Sequence, residues 1–350
     1  MLRRYHLVIM SNTVATSSFT LYFSYIAVAV ASCLGLAFPG ALPTVLGPVL
    51  LIGLVVLGLA HGACDQLVLP AVGQVKGSQR TYLLKFVLAY LGLAVLAGLG
   101  WRHWPGATIS LFLLLTVWHW GSADAPAQPG QLRLWLLHSI LRGSLLFAVP
   151  ARWWPVEVMH SVNGLLVFAG AAALKAAWFE VVRGLWPLVG IGHLLLWGYY
   201  AKQQQSQRWH TDAWEVLLLT SLFVSLPPLL ALGVYFIFWH SLQHMLRLNR
   251  VFGYATTRSE RMTWASLGKE VAFFIRRASP ILVVSLVVPA GLYILLPPKL
   301  AALDTLLGIA VMTAAILTLP HALLVSVVLD LRVWRAGENK LEIAGQKEMR

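Results

Sequence analysis

Long apolar runs separated by short polar stretches dominate this chain, and their lengths suit membrane-crossing helices. Between Tyr5 and Cys64 there is not one Asp, Glu, Lys or Arg, which leaves room for two spans of about 20 residues each. The pattern predicts an all-α fold, a polytopic transmembrane helical bundle of about ten spans. The predicted spans lie near residues 14–38, 42–60, 82–100, 107–121, 132–150, 161–178, 184–200, 213–246, 279–297 and 302–329.

The run at 213–246 is too long for one straight span. As a continuous helix it would extend about 51 Å, whereas the hydrocarbon layer is about 30 Å thick. Pro227 and Pro228 lie near its middle, and proline interrupts helical hydrogen bonding. We therefore expect one broken span or two short ones. The whole bundle is expected to form a single domain at residues 1–330, followed by a polar cytoplasmic tail at 331–350.

Composition and charge narrow the class of protein. Hydrophobic residues make up 59% of the chain and charged residues 11%, with a mean hydropathy of +0.75, which excludes an ordinary soluble domain. The net charge of +13 does not indicate nucleic acid, because the basic residues lie between apolar runs and form no patch with aromatic partners. They predict cytoplasmic loops, above all at 247–277. We expect a multi-pass protein of the inner (plasma) membrane, surrounded by lipid bilayer.

Histidines in apolar surroundings are the candidates for chemistry. An ionisable group inside a bilayer is costly, and histidine is the cheapest because it can be neutral. His240 and His244 are four residues apart, on one face of a helix. His61 is followed one turn later by Asp65, which can accept the second imidazole N–H and fix the tautomer of a metal-bound ring. His119 lies at the end of another run.

A single histidine of this kind is more often hydrogen bonded to a backbone carbonyl than bound to a metal. Three separate segments that each carry such histidines are better explained by convergence on one ion. Neutral nitrogen ligands suit Fe(II), Zn(II) or Cu. The sequence therefore predicts a metal site formed by His61, His119, His240 and His244.

Other residues are candidates for the surroundings of this site. Trp118, Trp120 and Trp239 adjoin the predicted ligands, and they are expected either to wall a tunnel for a long apolar substrate or simply to pack. His321 follows Pro320, and it is expected to line the site or to satisfy a helix kink. His193 is expected to form a hydrogen bond in the core.

Four motifs occur in matching order and resemble the Brp/Blh family of integral-membrane β-carotene 15,15'-dioxygenases of bacteria and archaea. They are H-G-A-x-D at 61–65, H-W-G at 119–121, F-x-x-W-H-S-x-x-H at 236–244 and P-H at 320–321. The similarity extends from about residue 50 to 330. Cys64 and Gln243 depart from the family's pattern, which bears on substrate range.

The resemblance implies an Fe(2+) enzyme that cleaves the central 15,15' double bond of β-carotene with O2 and yields two molecules of all-trans-retinal, which can pass to a rhodopsin. The family's iron-binding histidines correspond to His61, His119, His240 and His244. Three other classes of membrane protein use intramembrane histidines: histidine-box hydroxylases or desaturases, haem carriers and proton-coupled transporters. The chain has a single HxxxH pair and no HH pair, which argues against the histidine-box class.

Overall fold

The computed structural model describes residues 18–126 except 72, 74 and 76, and residues 131–254, 263–295 and 303–330. This part of the chain is helical and contains no strand, as predicted. The tail at 331–350 and the start of the first predicted run, 14–17, lie outside the described residues. The α-helices are α1 (Ser18–Ala37), α2 (Leu42–Gly53), α3 (Asp65–Ala71), α4 (Gln79–His103), α5 (Pro105–Asp124), α6 (Leu132–Trp153), α7 (Pro155–Phe168), α8 (Ala176–Arg183), α9 (Leu185–Lys202), α10 (Ser206–Ser225), α11 (Pro228–Val234), α12 (Leu242–Val251), α13 (Trp264–Leu295) and α14 (Leu303–Val325).

Three described segments are π-helical, with backbone hydrogen bonds between residues five apart. They are π1 (Leu54–Leu59), π2 (Tyr235–Ser241) and π3 (Ser326–Asp330). Segment π1 continues α2, π2 links α11 to α12, and π3 extends α14. A single helical turn, Ala60–Gly62, follows π1 directly.

Four helical stretches among the described residues are long and apolar enough to cross a bilayer. Shorter apolar helices occupy Tyr22–Ala37 and Ala315–Val328. Several described helices are thus long enough to span a membrane, while the expected total of about ten spans stays a prediction. The four long stretches are Gln79–His103, Leu132–Trp153, Ala176–Lys202 and Pro228–Val251.

The predicted break in the 213–246 run is confirmed. Helix α10 ends at Ser225, and α11 begins at Pro228, where proline is tolerated because the first turn of a helix needs no N–H donor there. The ring of Pro227 removes a donor that a continuous helix would use. One uninterrupted helix is therefore absent.

Two predicted boundaries were wrong. The run at 161–178 is interrupted: α7 ends at Phe168, Gly170 takes a left-handed φ of +78°, and the Asn163 side chain accepts a 2.8 Å hydrogen bond from the backbone N–H of Leu174. A left-handed glycine is a common helix terminator. The basic stretch at 247–277, expected as a loop, is helical up to Val251 and again from Trp264.

Those two helices are held together by a buried acid. The Glu270 side chain is fully buried and accepts a 2.6 Å hydrogen bond from Arg250. The Asn249 amide donates to the Glu270 backbone carbonyl at 3.0 Å. The positively charged stretch at 247–277 therefore contains parts of two helices, α12 and α13, that pack against each other. The charge pattern of the sequence does not predict this packing.

The chain forms two compact units. The first falls within Met1–Val87 and Ser225–Leu306, and the second within Leu88–Val224 and Leu307–Arg350. Helices α1, α2 and α11–α13 with π1 and π2 belong to the first unit. Helices α5–α10 and α14 with π3 belong to the second, apart from the ends of α10 and α14. Each unit brings together a different set of the predicted histidines.

Candidate metal centre

The first unit assembles three of the predicted ligands. The ring centroid of His61 lies 5.9 Å from that of His240 and 5.5 Å from that of His244. The His240 and His244 rings are nearly parallel, with centroids 6.2 Å apart. All three side chains are at least 95% buried, with exposed fractions of 5%, 1% and 1%. The spacing of four in the sequence therefore places two imidazoles side by side, and His61 faces both.

The two π-helical segments of the first unit pack directly against each other at this point. A Cβ atom placed on Gly53 would lie 2.6 Å from Cγ2 of Ile237, and one placed on Gly58 would lie 3.0 Å from Cε1 of Phe236. A larger residue at either position would require the neighbouring side chains to shift. Gly62 makes no such contact, because beyond its own turn no described atom lies within 4 Å of a Cβ placed there.

A hydroxyl group bonds to the His61 ring, and the sequence did not single it out. Ser241 Oγ lies 3.3 Å from His61 Nδ1, and Ser241 is fully buried. If His61 ligates a metal through Nε2, its Nδ1–H donates to this hydroxyl, and the hydrogen bond orients the ring. Ser241 follows His240 in the W-H-S motif, and that adjacency was the available signal. Asp65, expected in this role, is buried at the start of α3.

The second unit contains His119 and brings another histidine to it. His119, near the end of α5, and His321, on α14, have ring centroids 5.1 Å apart and planes at 84°. Both are buried, with exposed fractions of 1% and 5%. His321 was expected to line the site or to satisfy a kink, and here it packs edge-to-face against a predicted ligand.

Glycines also explain the H-W-G motif. A Cβ atom on Gly121 of α5 would lie 1.9 Å from the Ser139 carbonyl oxygen of α6, and one on Gly143 of α6 would lie 1.9 Å from the Val117 carbonyl oxygen. The backbones of α5 and α6 therefore approach each other through two reciprocal glycines, a form of contact common between membrane helices. This contact holds α5 against α6 at Gly121, which is two residues after His119.

The three tryptophans have defined packing partners. The Trp118 indole N–H donates a 3.1 Å hydrogen bond to Ser326 Oγ. Trp120 stacks on Phe147 at 6.3 Å, and Trp239 stacks on Tyr25 at 5.4 Å. Their predicted part in a substrate tunnel stays a prediction.

His193 has the ordinary role expected of it. Its Nδ1–H donates to the Val189 carbonyl oxygen at 2.9 Å within α9, and the side chain is 1% exposed. His193 provides a buried histidine of the second unit for comparison with the predicted ligands.

The imidazole groups fit a metal in donor type and in spacing. With metal–nitrogen bonds of about 2.1 Å, the ring centroids of two histidines on one ion lie roughly 4.5 to 6.5 Å apart, and all of the histidine pairs described above fall in that range. Among the described residues no group of three His, Cys, Asp or Glu side chains has the arrangement of a finished metal site. Burial, with a contribution from Asp65, raises the pKa of the neighbouring Cys64 to about 12, so this thiol is protonated at neutral pH.

Comparison with known proteins identifies the family. The family model described as Beta-carotene 15,15'-dioxygenase matches residues 52–329, which is most of the chain and contains all of the predicted histidine ligands. The chain belongs to the beta-carotene 15,15'-dioxygenase family. The family resemblance expected from the four motifs is thereby confirmed.

Individual relatives agree with this assignment. The probable beta-carotene 15,15'-dioxygenase Blh of Halobacterium salinarum is 27% identical over 318 residues, which cover 87% of this chain and 91% of that protein. The beta-carotene 15,15'-dioxygenase of an uncultured marine bacterium, 66A03, is 25% identical over 272 residues, covering 77% and 90%. The probable dioxygenase Brp of Halobacterium salinarum is 26% identical over 255 residues, covering 68% of each chain. No solved structure matches the chain.

Proposed function

We propose that this enzyme cleaves β-carotene at its central 15,15' double bond with O2 and yields two molecules of all-trans-retinal. The observation that carries the proposal is the trio His61, His240 and His244, three buried imidazoles with ring centroids within 6.2 Å, inside a chain of this family. Relatives of the family bear the name of that reaction.

One Fe(2+) ion is proposed to be held by His61, His119, His240 and His244. Iron, when bound, supplies the one-electron redox chemistry that lets O2 react with a polyene. Neutral imidazoles suit iron, and their burial keeps water from the reacting groups. Ser241 orients the His61 ring through its hydrogen bond to Nδ1, and the other two rings of the first unit stack on each other.

An apolar groove in the first unit suits a hydrocarbon substrate. A shallow groove of about 290 Å³ is lined entirely by apolar side chains and glycine, from α2, π1 and π2. A C40 polyene dissolves in the bilayer, so an opening that faces lipid suits its entry better than one that faces water. The lining residues are Val49, Ile52, Gly53, Val56, Leu57 and Phe238. Regiospecificity would follow from walls that hold the middle of the polyene at the metal.

The test is expression in a bacterial host that accumulates β-carotene, with the extracted pigments separated by chromatography. Retinal is expected from the wild type, and intact β-carotene from His240→Ala and His244→Ala, because loss of a metal ligand removes the reaction. His210→Ala is the matched control: His210 is exposed, hydrogen bonds to the Ser206 carbonyl of its own helix and stacks on the adjacent Trp209, and its replacement should leave retinal formation unchanged.

Iron content of the purified proteins completes the test. The wild type should contain about one iron per chain, and the two alanine variants much less, with similar amounts of protein in the membrane. Intact β-carotene in the wild-type host, with iron supplied and protein in the membrane, would contradict the proposed reaction. A haem absorption band in the purified protein would point to an electron carrier.

A further inference from the structure

Helix α13, in the first unit, carries more basic residues than acidic ones. Its basic residues are Lys269, Arg276 and Arg277, and it has a single acidic residue. That residue, Glu270, is fully buried and accepts a 2.6 Å hydrogen bond from Arg250 of α12. Among the described residues, no acidic side chain forms an ion pair with the three basic residues of α13. These three cations can therefore bind an anion from outside the chain.

The Arg277 guanidinium group is stacked on an aromatic ring. Its Cζ atom lies 3.8 Å from the ring centroid of Phe273. Stacking uses the face of the guanidinium group and leaves the N–H donors at its edge. Arg250 shows how such an arginine binds an anion, because it lies 5.7 Å from the Tyr254 ring centroid and donates to the Glu270 carboxylate. Arg277 has the same stacked arrangement, and no described carboxylate accepts a hydrogen bond from it.

The three cations of α13 occupy one short stretch of its surface, here called the basic stripe (Lys269, Arg276 and Arg277). Lys269 and Arg276 are exposed, and Arg277 is half-buried. Lys269 and Arg276 are seven residues apart, which places them two turns apart on the same face of the helix. The stripe extends about 12 Å along the helix axis. Long, flexible side chains at this spacing can reach a single charged group.

The helix becomes apolar directly after the basic stripe. Arg277 is followed by no Asp, Glu, Lys or Arg before Lys299, and the sequence predicts a membrane span at 279–297. Ile281, Val283 and Leu286 have exposed fractions of 38%, 56% and 37%. An anionic phospholipid has the same order of groups, with a negative headgroup at the membrane surface and apolar acyl chains beneath it.

We propose that the basic stripe binds the headgroup of an anionic phospholipid, whose acyl chains lie along Ile281, Val283 and Leu286. Arginine matches a phosphate group with paired N–H donors, and three cations favour a headgroup with net negative charge over a zwitterionic one. Basic residues beside a span also set its orientation in the membrane, but that role gives no preference among lipids. The inference does not depend on the proposed iron site or on the cleavage reaction.

The experiment measures lipid binding to the full-length protein in detergent by native mass spectrometry, with phosphatidylglycerol compared with phosphatidylcholine. The wild type should bind phosphatidylglycerol more tightly. Replacing Arg276→Gln and Arg277→Gln together should weaken phosphatidylglycerol binding by about 30-fold, at about 5-fold for each basic residue near an anionic surface, and should leave phosphatidylcholine binding unchanged. The pair Arg276→Lys and Arg277→Lys should bind with intermediate affinity, because the charge is kept and the paired donors are lost.

The matched control is the pair Lys202→Gln and Arg208→Gln, which removes two exposed cations where α9 leads into α10. Its phosphatidylglycerol affinity should equal that of the wild type. Equal binding of the two lipids by the wild type, or wild-type affinity in the glutamine pair of α13, would overturn the inference. Displacement of phosphatidylglycerol by inorganic phosphate or by polyglutamate would also overturn it, because neither has acyl chains.

A single change covers the case in which the glutamine pair of α13 does not reach the membrane. Lys269 is exposed and lies in the first two turns of α13, so Lys269→Gln removes one cation of the stripe away from the predicted span. It should weaken phosphatidylglycerol binding by about 5-fold. Unchanged affinity in this variant would mean that the stripe does not hold the headgroup.

Discussion

At the scale of single residues, Ser241 shows how a small polar group can tune a metal ligand. It is fully buried, and its hydroxyl lies 3.3 Å from Nδ1 of His61. The hydrogen bond to Nδ1 restricts how the imidazole ring can turn. Partners of this kind orient a ligand and raise its basicity.

Replacing Ser241 by alanine should therefore weaken the site without unfolding it. We expect Ser241→Ala to reduce iron affinity about 10- to 100-fold, measured by competition with a chelator. The control is Ser32→Ala, because Ser32 is also buried in the first unit and bonds the Val28 carbonyl of its own helix. Equal iron affinity in Ser241→Ala and the wild type would show that His61 does not depend on this hydroxyl.

At the scale of helices, reciprocal glycines decide how closely α5 and α6 pack. A methyl group at Gly121 would meet the Ser139 carbonyl at 1.9 Å, and backbone atoms cannot move aside as a side-chain tip can. We expect Gly121→Ala to separate the helices and to lower the apparent melting temperature in detergent by about 5 °C or more, since overpacking costs about 1 to 3 kcal/mol and occasionally more.

A control for this change is available in the same helix. Gly106 lies in the first turn of α5, and no described atom comes within 4 Å of a Cβ placed there. Gly106→Ala should keep or slightly raise the melting temperature, because alanine favours the helix over glycine. Equal melting temperatures for Gly121→Ala and the wild type would mean that α5 and α6 are not in this contact.

A buried ionic cluster joins three helices of the second unit. Arg142 of α6 donates to Asp212 and, at 2.6 Å, to Glu215 of α10. His138 of α6 lies 2.7 Å from the same Asp212 carboxylate and 3.0 Å from the Tyr200 hydroxyl of α9. Sequence reasoning missed the cluster because its members are far apart in the chain.

Burial of Asp212, which lies outside the four candidate spans, opposes its ionised form. Arg142 and His138 outweigh this cost and hold the pKa of that carboxyl well below its usual range. A lowered carboxyl pKa stabilises the fold at every pH above the unfolded value of about 3.9. The contribution is lost only as the pH falls through the lowered folded pKa, so the cluster is not a switch near neutral pH.

Removing the cation alone should be costly. Arg142→Met removes the guanidinium group that pairs with both buried carboxylates, and it should lower the free energy of unfolding by about 3 to 5 kcal/mol. Arg183→Met, which breaks an exposed pair with Glu180, should cost about 1 kcal/mol or less. Denaturant unfolding in detergent measures both. Adding Asp212→Asn and Glu215→Gln to Arg142→Met should restore part of the loss, and no restoration would contradict the charge argument.

The elements also show what the sequence could and could not predict. Apolar runs identified most helices, and Pro227 identified the break after α10. The spacing of His240 and His244 predicted that their rings would be neighbours. The prediction of one helix at 161–178 was wrong because the helix is ended by a left-handed Gly170 and by the Asn163 side chain. Neither feature changes the apolar pattern from which the helix was predicted. The pairing of His119 with His321, residues far apart in the chain, depends on tertiary packing, which one sequence does not encode in any periodic pattern.

At the scale of the whole molecule, the surface of α4 is the clearest sign of lipid contact. Leu84, Leu88, Leu91 and Leu96 are each more than half exposed, and a helix with this composition has no stable place in water. The leucines point outward over about three turns. Such a surface suits a protein whose substrate is proposed to arrive from the bilayer.

A charge in the middle of α4 should therefore prevent stable integration. An acidic side chain at the centre of a membrane helix costs about 2.5 to 3.5 kcal/mol, so Leu91→Glu should reduce the fraction of protein that resists alkaline carbonate extraction from membranes. Thr81→Glu, in the exposed first turn of the same helix, is the matched control, because an acidic group at a helix start is favourable and lies near the membrane surface. Retention of Leu91→Glu at the level of Thr81→Glu would mean that α4 does not lie in the hydrocarbon layer, and the entry of β-carotene would then have to be sought along another helix.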